Sequence, residues 1–259
     1  MGPGCRAQPG GRRPAGARAA GGPSPGIERT RGQKGKDLMT NATNMALLFL
    51  GAHLAGTIPF GLLVARLKGV DIRSVGSGNV GATNVGRVLG RKWGVLVLLL
   101  DAGKGAAATI AARLVMDHAG MVGVTQRDLV WLGAGFACVL GNIAPFYLGF
   151  RGGKGVAASL GAIMGIYPYM TLPGLAVLFV FAVTALVSRY VSLASIVAAC
   201  SLPLIFSAAC LLAGWPLVEH WPLFSLGVLL ATFITIRHRA NLARIRAGTE
   251  NRIGSRTDR

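Results

Sequence analysis

The sequence predicts an all-α, polytopic transmembrane helix bundle, and three observations carry that expectation: too little charge, a succession of long apolar runs, and basic residues gathered in alternate loops. Of 259 residues, 52% are hydrophobic and only 14% charged, whereas a soluble domain carries about 25% charge. From Met45 onward seven apolar segments can be read, at roughly 45–65, 93–115, 129–149, 155–169, 172–187, 192–214 and 220–236. Most approach the ~20 residues needed to cross a bilayer. The fourth and fifth are short and meet at Tyr167-Pro168-Tyr169, so a five-span arrangement with those two lying shallow stays open beside the seven-span one.

Charge orients the bundle. The loop after the first segment holds Arg66, Lys68, Arg73, Arg87, Arg91 and Lys92. The third loop has Arg151 and Lys154, the fifth Arg189, and the C-terminal stretch seven arginines from Arg237 to Arg259. The opposite loops carry Arg127, with Arg113 near a span end. Lys and Arg collect on the cytoplasmic side, which predicts the N-terminus outside and the C-terminus in the cytoplasm.

Residues 1–38 contradict that orientation. They hold ten Gly, five Pro and eight Lys or Arg, with Ile27 and Leu38 as the only large aliphatics. Such a stretch cannot bury a core and is expected to be disordered. The simplest reading is a dispensable tail, with translation beginning at Met39 or Met45. The expected organisation is therefore a tail over 1–38, a membrane domain over 39–251, and a basic C-terminal tail over 252–259.

A formal net charge of +18 would suggest nucleic acid in a soluble protein. Here aromatics are 7% and sit mainly in apolar segments, so no stacking platform is in view and no nucleic-acid partner is expected. Anionic lipid and anionic substrate account for the cations instead. Cys5, Cys138, Cys200 and Cys210 form no CxxC pair. No metal site and no cofactor are expected.

Four stretches could carry chemistry. The loop Gly76-Ser77-Gly78-Asn79-Val80-Gly81-Ala82-Thr83-Asn84-Val85-Gly86-Arg87 combines glycines with small hydrogen-bonding side chains. Glycine lets backbone N–H groups approach an oxyanion. Ser77, Asn79, Thr83 and Asn84 can add hydrogen bonds, Gly78 room, and Arg87 a two-point grip on phosphate. A flexible interhelical loop is the plainer alternative. The stretch Gly149-Phe150-Arg151-Gly152-Gly153-Lys154-Gly155 runs directly into an apolar, helix-like segment. Free amides at a helix start beside a lysine suit an anion, and a positive anchor is the alternative. It is no Walker A loop, because position 148 is leucine where that motif needs glycine.

Asp101 and Lys104, in Leu100-Asp101-Ala102-Gly103-Lys104-Gly105, share a helix face inside the second span. Intramembrane charges mark either a functional site or a self-neutralising structural pair. In Arg237-His238-Arg239-Ala240-Asn241, His238 and Asn241 share a face if helical. The histidine could contact phosphate or move a proton, or simply lie within a basic anchor. His53, His118 and His220 are less promising, since the first sits inside a span and the others on the predicted outer side. Neither an HxxxxD pair nor a GxSxG elbow occurs.

In this order the motifs resemble those of the PlsY family, bacterial membrane glycerol-3-phosphate acyltransferases that use acyl-phosphate as donor. The matching stretches are GTIPFGLLVARLKGVDIRSVGSGNVGATNVGRVLG, LLLDAGKG, FRGGKGVAASLG, SRYVSLASI and IRHRANLARIRAGTE, together spanning about 45–251. The resemblance implies transfer of an acyl group from acyl-phosphate to glycerol 3-phosphate, giving 1-acyl-glycerol 3-phosphate and phosphate. It implies functional roles for Ser77 and Arg87, and for His238 and Asn241. It implies a phosphate-binding loop of Gly152, Gly153, Lys154 and Gly155, and a structural role for Glu250; of the intramembrane pair, Lys104 is expected to contact substrate and Asp101 to be structural. One departure stands out: the family commonly reads Gly-His before that loop, and this chain has Gly141-Asn142. Amide replaces imidazole, so hydrogen bonding survives without the charge.

The expected mechanism is positioning and electrostatics on an already activated donor, with the acyl tail lying between spans. The expected location is the bacterial inner membrane with the site facing the cytoplasm. The soluble enzyme that makes acyl-phosphate is a further expected partner. The alternative is a transporter or flippase of a phosphorylated lipid or metabolite, which the intramembrane Asp101 and Lys104 would suit. Against it, the special residues gather at one end of the bundle and no inverted repeat is visible.

Overall fold

The computed structural model describes residues 25–254, with side chains described from residue 41 onward. Its ten α-helices are α1 Pro25–Thr57, α2 Phe60–Leu67, α3 Ala82–Leu89, α4 Arg91–His118, α5 Val124–Ile143, α6 Val156–Met164, α7 Thr171–Ser188, α8 Val191–Ala213, α9 Trp221–Arg237 and α10 Arg239–Arg246. Strands are absent among the described residues. Residues 1–24 of the expected disordered tail lie outside the described residues. The remainder of that tail, from Pro25, is helical backbone continuous with α1.

Five stretches are long and apolar enough to cross a membrane: Asn41–Leu67, Arg91–His118, Val124–Leu148, Thr171–Ser188 and Val191–Ala213. Helices α9 and α10, bent by 54° at His238, make a sixth if taken as one span. The expected count of seven is therefore not met. The shortfall lies at 155–169, where α6 has only nine residues, a rise of about 14 Å against a hydrocarbon core of about 30 Å. Gly165 and Pro168 end the helix early. The chain still reverses direction there: Tyr169, beyond α6, packs edge-on against Trp131 and Trp215 at the opposite end of the bundle.

Large side chains such as Leu50, Leu99, Leu114, Phe179, Leu186, Leu204 and Leu211 are exposed on helix flanks. In water that distribution would be a liability, whereas hydrocarbon is a matching solvent for it. Inside the bundle small residues bring backbones together. A Cβ at Gly161 of α6 would collide with the Ala102 carbonyl of α4, and one at Gly105 of α4 with the Ala158 carbonyl of α6. Gly56 of α1 and Gly141 of α5 close that pair in the same way, against Cys138 and His53. The short helix α6 is thus held by close backbone approach, which compensates for its length.

Two apolar cores result. The larger joins Trp131, Ala134, Ile163, Phe206, Leu223 and Leu226 from α5, α6, α8 and α9. The smaller gathers Leu62, Val64, Ile72, Val80, Val85 and Val97 from α2, α3, α4 and the loop between. This second core fixes the glycine-rich loop, whose C-terminal half proves to be α3. Asn84 completes the job: it donates to the Ile72 and Val75 carbonyls at 3.2 and 3.1 Å and accepts from the Ser77 N–H at 2.8 Å.

Candidate active site

At one end of the bundle the loop before α3, the loop before α6, the start of α8 and the α9–α10 bend surround a cavity of about 150 Å³. Ser77, Arg87, Lys154, His238 and Asn241 all line it. Stretches separated by more than 160 residues in sequence, from Ser77 to Asn241, therefore converge on one space.

Its centre is a chain of hydrogen bonds. Lys154 Nζ donates to Asn241 Oδ1 at 2.6 Å, and Asn241 Nδ2 donates to Glu250 Oε1 at 2.6 Å. Ser192 Oγ also donates to that oxygen at 2.9 Å, while Arg244 Nε holds Glu250 Oε2 at 2.8 Å. Burial by itself would raise the Glu250 pKa, but hydrogen bonds from Asn241, Arg244 and Ser192 hold it below the usual carboxylate range. Lys154 shifts down to about 8, chiefly because it is buried, with Arg244, Arg237 and Arg87 adding repulsion against the opposing pull of Glu250. A buried cation crowded by other cations is a site in which an anion is strongly favoured.

The histidine is oriented too. His238 is 2% exposed, and its Nδ1 lies 2.8 Å from the Ile234 carbonyl. A carbonyl can only accept, so Nδ1 carries the proton and Nε2 is left as the basic nitrogen of the neutral ring. The bend between α9 and α10 brings His238 and Asn241 to the same cavity, one at the hinge and one in the first turn beyond it.

The glycines of the third loop divide the work. Gly153 and Gly155 line the cavity. Gly155 adopts φ +82° immediately before α6, a conformation glycine takes without strain, and the first N–H groups of that helix have no intrahelical acceptor. Gly152 lies outside the cavity wall. A Cβ there would strike the Asn142 carbonyl and the Pro145 ring, and its role is to let the loop pass. Arg237 clamps the loop from α9, donating to the Gly152 and Gly153 carbonyls at 3.2 Å each.

Other predicted residues separate into groups. Asn79 and Thr83 line the cavity, though Asn79 Oδ1 also accepts from the Gly81 N–H at 2.8 Å. Asn84 borders the cavity but is 1% exposed, with its amide engaged in holding the loop. Gly78 supplies a turn at φ +66° outside the wall. Lys104, expected as a substrate contact, is not in the wall either. It pairs with Asp101 at 2.7 Å and donates to the Ile58 carbonyl at 2.8 Å and Asn142 Oδ1 at 2.7 Å. Asp101, expected to be structural, does reach the cavity.

Residues beyond the expected set complete the walls: Ser192, Ser195, Phe181 and Arg244. The serines lie in the stretch SRYVSLASI, where the resemblance implies no role for them, and Phe181 lies in a strongly apolar helix where nothing in the local pattern marks it. Arg244 was visible only as one of many tail arginines.

A second cavity of about 120 Å³ adjoins the first. Leu98, Val156, Ala157, Phe181 and Ser195 belong to both. From that neck it descends between α6, α7, α8 and α9 past Ala198, Ala199, Leu202 and Leu230. A polar, cationic chamber therefore opens sideways into an apolar groove within the bundle.

Among the described residues no cluster of His, Cys, Asp and Glu could hold a metal ion. A buried His220–Asp128 contact, Nδ1 to Oδ2 at 2.7 Å, lies at the opposite end with Tyr169 and Trp215.

Residues 46–248 match the family model described as glycerol-3-phosphate acyltransferase. A curated glycerol-3-phosphate acyltransferase of Geotalea daltonii is 41% identical over 210 residues, covering 81% of this chain and 97% of that protein. One of Aquifex aeolicus is 42% identical over 207 residues, covering 79% and 97%. Among solved structures, the glycerol 3-phosphate form of PlsY, an integral membrane glycerol 3-phosphate acyltransferase, is similar with a TM-score of 0.69 and 40% identity, covering 81% of this chain and 96% of that one. Its lysophosphatidic acid form is similar with a TM-score of 0.68. The chain belongs to the glycerol-3-phosphate acyltransferase family of integral membrane proteins, the PlsY family.

Proposed function

We propose that this protein transfers an acyl group from acyl-phosphate to glycerol 3-phosphate at the cytoplasmic face of the bacterial inner membrane, giving 1-acyl-glycerol 3-phosphate and inorganic phosphate. The observation that carries the reading is the shared wall between the cationic cavity and the apolar groove. An acyl-phosphate has that same character, with charge at one end and hydrocarbon at the other.

In this reading Lys154, with the N–H groups at the start of α6, takes one phosphate. Arg87 and Ser77 hold the second anion across the cavity. The acyl tail enters the groove past Phe181 and Ser195. The acceptor hydroxyl attacks the acyl carbonyl carbon, a new C–O ester bond forms, and the bond from that carbon to the phosphate oxygen breaks. The hydroxyl proton passes to His238 Nε2, and the leaving phosphate carries away the electron pair. Asn241, tied between Lys154 and Glu250, fixes the distance between the cation and the histidine. Two anions must be brought together, and fixed cations that need no reorganisation are the most effective means of doing so.

The basic loops and the described arginines from Arg237 onward lie at the site end, which supports a cytoplasmic orientation for it. The soluble producer of acyl-phosphate is the partner that this end would meet. Donor choice tests the reading: purified protein is supplied with labelled glycerol 3-phosphate and either palmitoyl-phosphate or palmitoyl-CoA. Product from the first donor alone supports it, and product from palmitoyl-CoA alone rejects it.

A further inference from the structure

A side-chain amide has two unlike faces, and only its oxygen can receive a proton from an ammonium group. At Asn142, near the end of α5, that choice is made by Lys104. Lys104 Nζ donates to Asn142 Oδ1 at 2.7 Å. Its other neighbours are the Ile58 carbonyl at 2.8 Å and the Asp101 carboxylate at 2.7 Å. Of the three N–H donors of the ammonium, one goes to the Ile58 carbonyl and one to the Asn142 amide oxygen, while its charge is paired with Asp101. Turning the amide over would set its NH₂ against a buried cation.

The nitrogen therefore faces the other way. Asn142 Nδ2 lies 3.4 Å from the point where a Cβ on Gly153 would sit, and Asn142 lines the cationic cavity beside Gly153 and Lys154. Nδ2 donates to no acceptor among the described residues, whereas the Asn142 main-chain carbonyl accepts from the Gly153 N–H at 3.0 Å. The residue thus anchors the glycine loop with its backbone and points two free N–H donors along it.

We propose that Asn142 Nδ2 is a ligand for phosphate in this cavity, held in its donating orientation by Lys104 as a positioning residue. The inference rests on reading the cavity as a phosphate site. A neutral donor adds a hydrogen bond to the anion without adding another charge to a place where Lys154 already has Arg87, Arg237 and Arg244 for neighbours. Lys104, outside the cavity wall, then acts on the site without touching substrate.

The test uses the full chain purified in detergent, with inorganic phosphate as the probe and equilibrium binding as the readout, so turnover is not required. Lys154→Ala reports on the site itself: if it leaves phosphate affinity unchanged, the cavity is not the phosphate site and the inference falls with that reading. Given a response there, Asn142→Ala and Asn142→Asp are compared. A hydrogen bond to a charged group is worth enough to shift affinity roughly tenfold or more. The inference predicts that loss for Asn142→Ala and a larger one for Asn142→Asp, which sets a carboxylate against phosphate. A purely structural role predicts the opposite order, because aspartate keeps the bond to Lys104 and alanine does not. Lys104→Met should weaken phosphate binding in the native background and have no further effect on top of Asn142→Ala. The reverse order at Asn142, or additive losses, would overturn the inference.

Discussion

Lys154 and Asn241 are 87 residues apart in sequence and 2.6 Å apart in space. Their bond joins the glycine loop before α6 to the bend after α9, so Lys154 and His238, given phosphate and hydroxyl in the proposed function, share one frame. Glu250 closes that frame from the far side of Asn241.

Asn241→Ala removes the link while leaving both ends in place. The expected outcome is a fall in kcat of roughly 10²-fold or more, the scale seen when a preorganised polar group is lost. Thermal stability should fall by much less in proportion. Steady-state kinetics and a melting curve on the same preparation check this.

The alkaline limb of the pH profile belongs to Lys154. Its pKa is lowered to about 8, and the charged form is the one that binds an anion. Phosphate affinity is therefore full below that value and declines as pH rises through it. Lys154→Arg, with a guanidinium that stays protonated, should shift the decline to higher pH even if its absolute rate is lower.

Glu250 predicts the acid side of stability. Its pKa is lowered in the folded protein, so it contributes stability above its unfolded pKa, and that contribution is lost as pH falls through the folded value. Glu250→Gln should melt at a lower temperature than the native protein near neutrality. The gap should narrow on acidification, read as melting temperature against pH.

The groove predicts chain-length control. Ala198 and Ala199 are 5% and 6% exposed and sit in its wall on α8. Ala198→Phe would fill space meant for hydrocarbon. The expected result is a kcat/KM for a sixteen-carbon donor reduced by roughly tenfold relative to an eight-carbon donor, since overpacking costs about 1–3 kcal/mol. Equal losses for both donors would mean that the groove does not hold the tail.

Much of the site was legible in the chain because anion chemistry leaves local traces. Glycines beside Lys154, a histidine and amide at helical spacing, and Ser77 and Arg87 in a glycine-rich loop are all visible without a fold. What was not legible depends on packing. Lys104 looks like a substrate contact until the Ile58 carbonyl, the Asp101 carboxylate and the Asn142 amide are seen around its ammonium. Asn84 looks like a donor until the loop closes around it. Ser192 and Ser195 fall in the stretch SRYVSLASI that resembles the family, but their residue types alone assign them no role in an apolar helix, and the alanines of the groove wall are indistinguishable from any others. The shortness of α6 was hidden because an apolar run continues past its last helical residue, and only glycine contacts with α4 reveal why nine residues suffice.

The central claim is that this cavity couples acyl transfer to phosphate release, and the most direct measurement follows both products at once. With palmitoyl-phosphate and labelled glycerol 3-phosphate, the account predicts one inorganic phosphate for each 1-acyl-glycerol 3-phosphate formed, and neither product above background for a folded Lys154→Ala variant. Acyl product without matching phosphate, or a variant as active as the native protein, would contradict it.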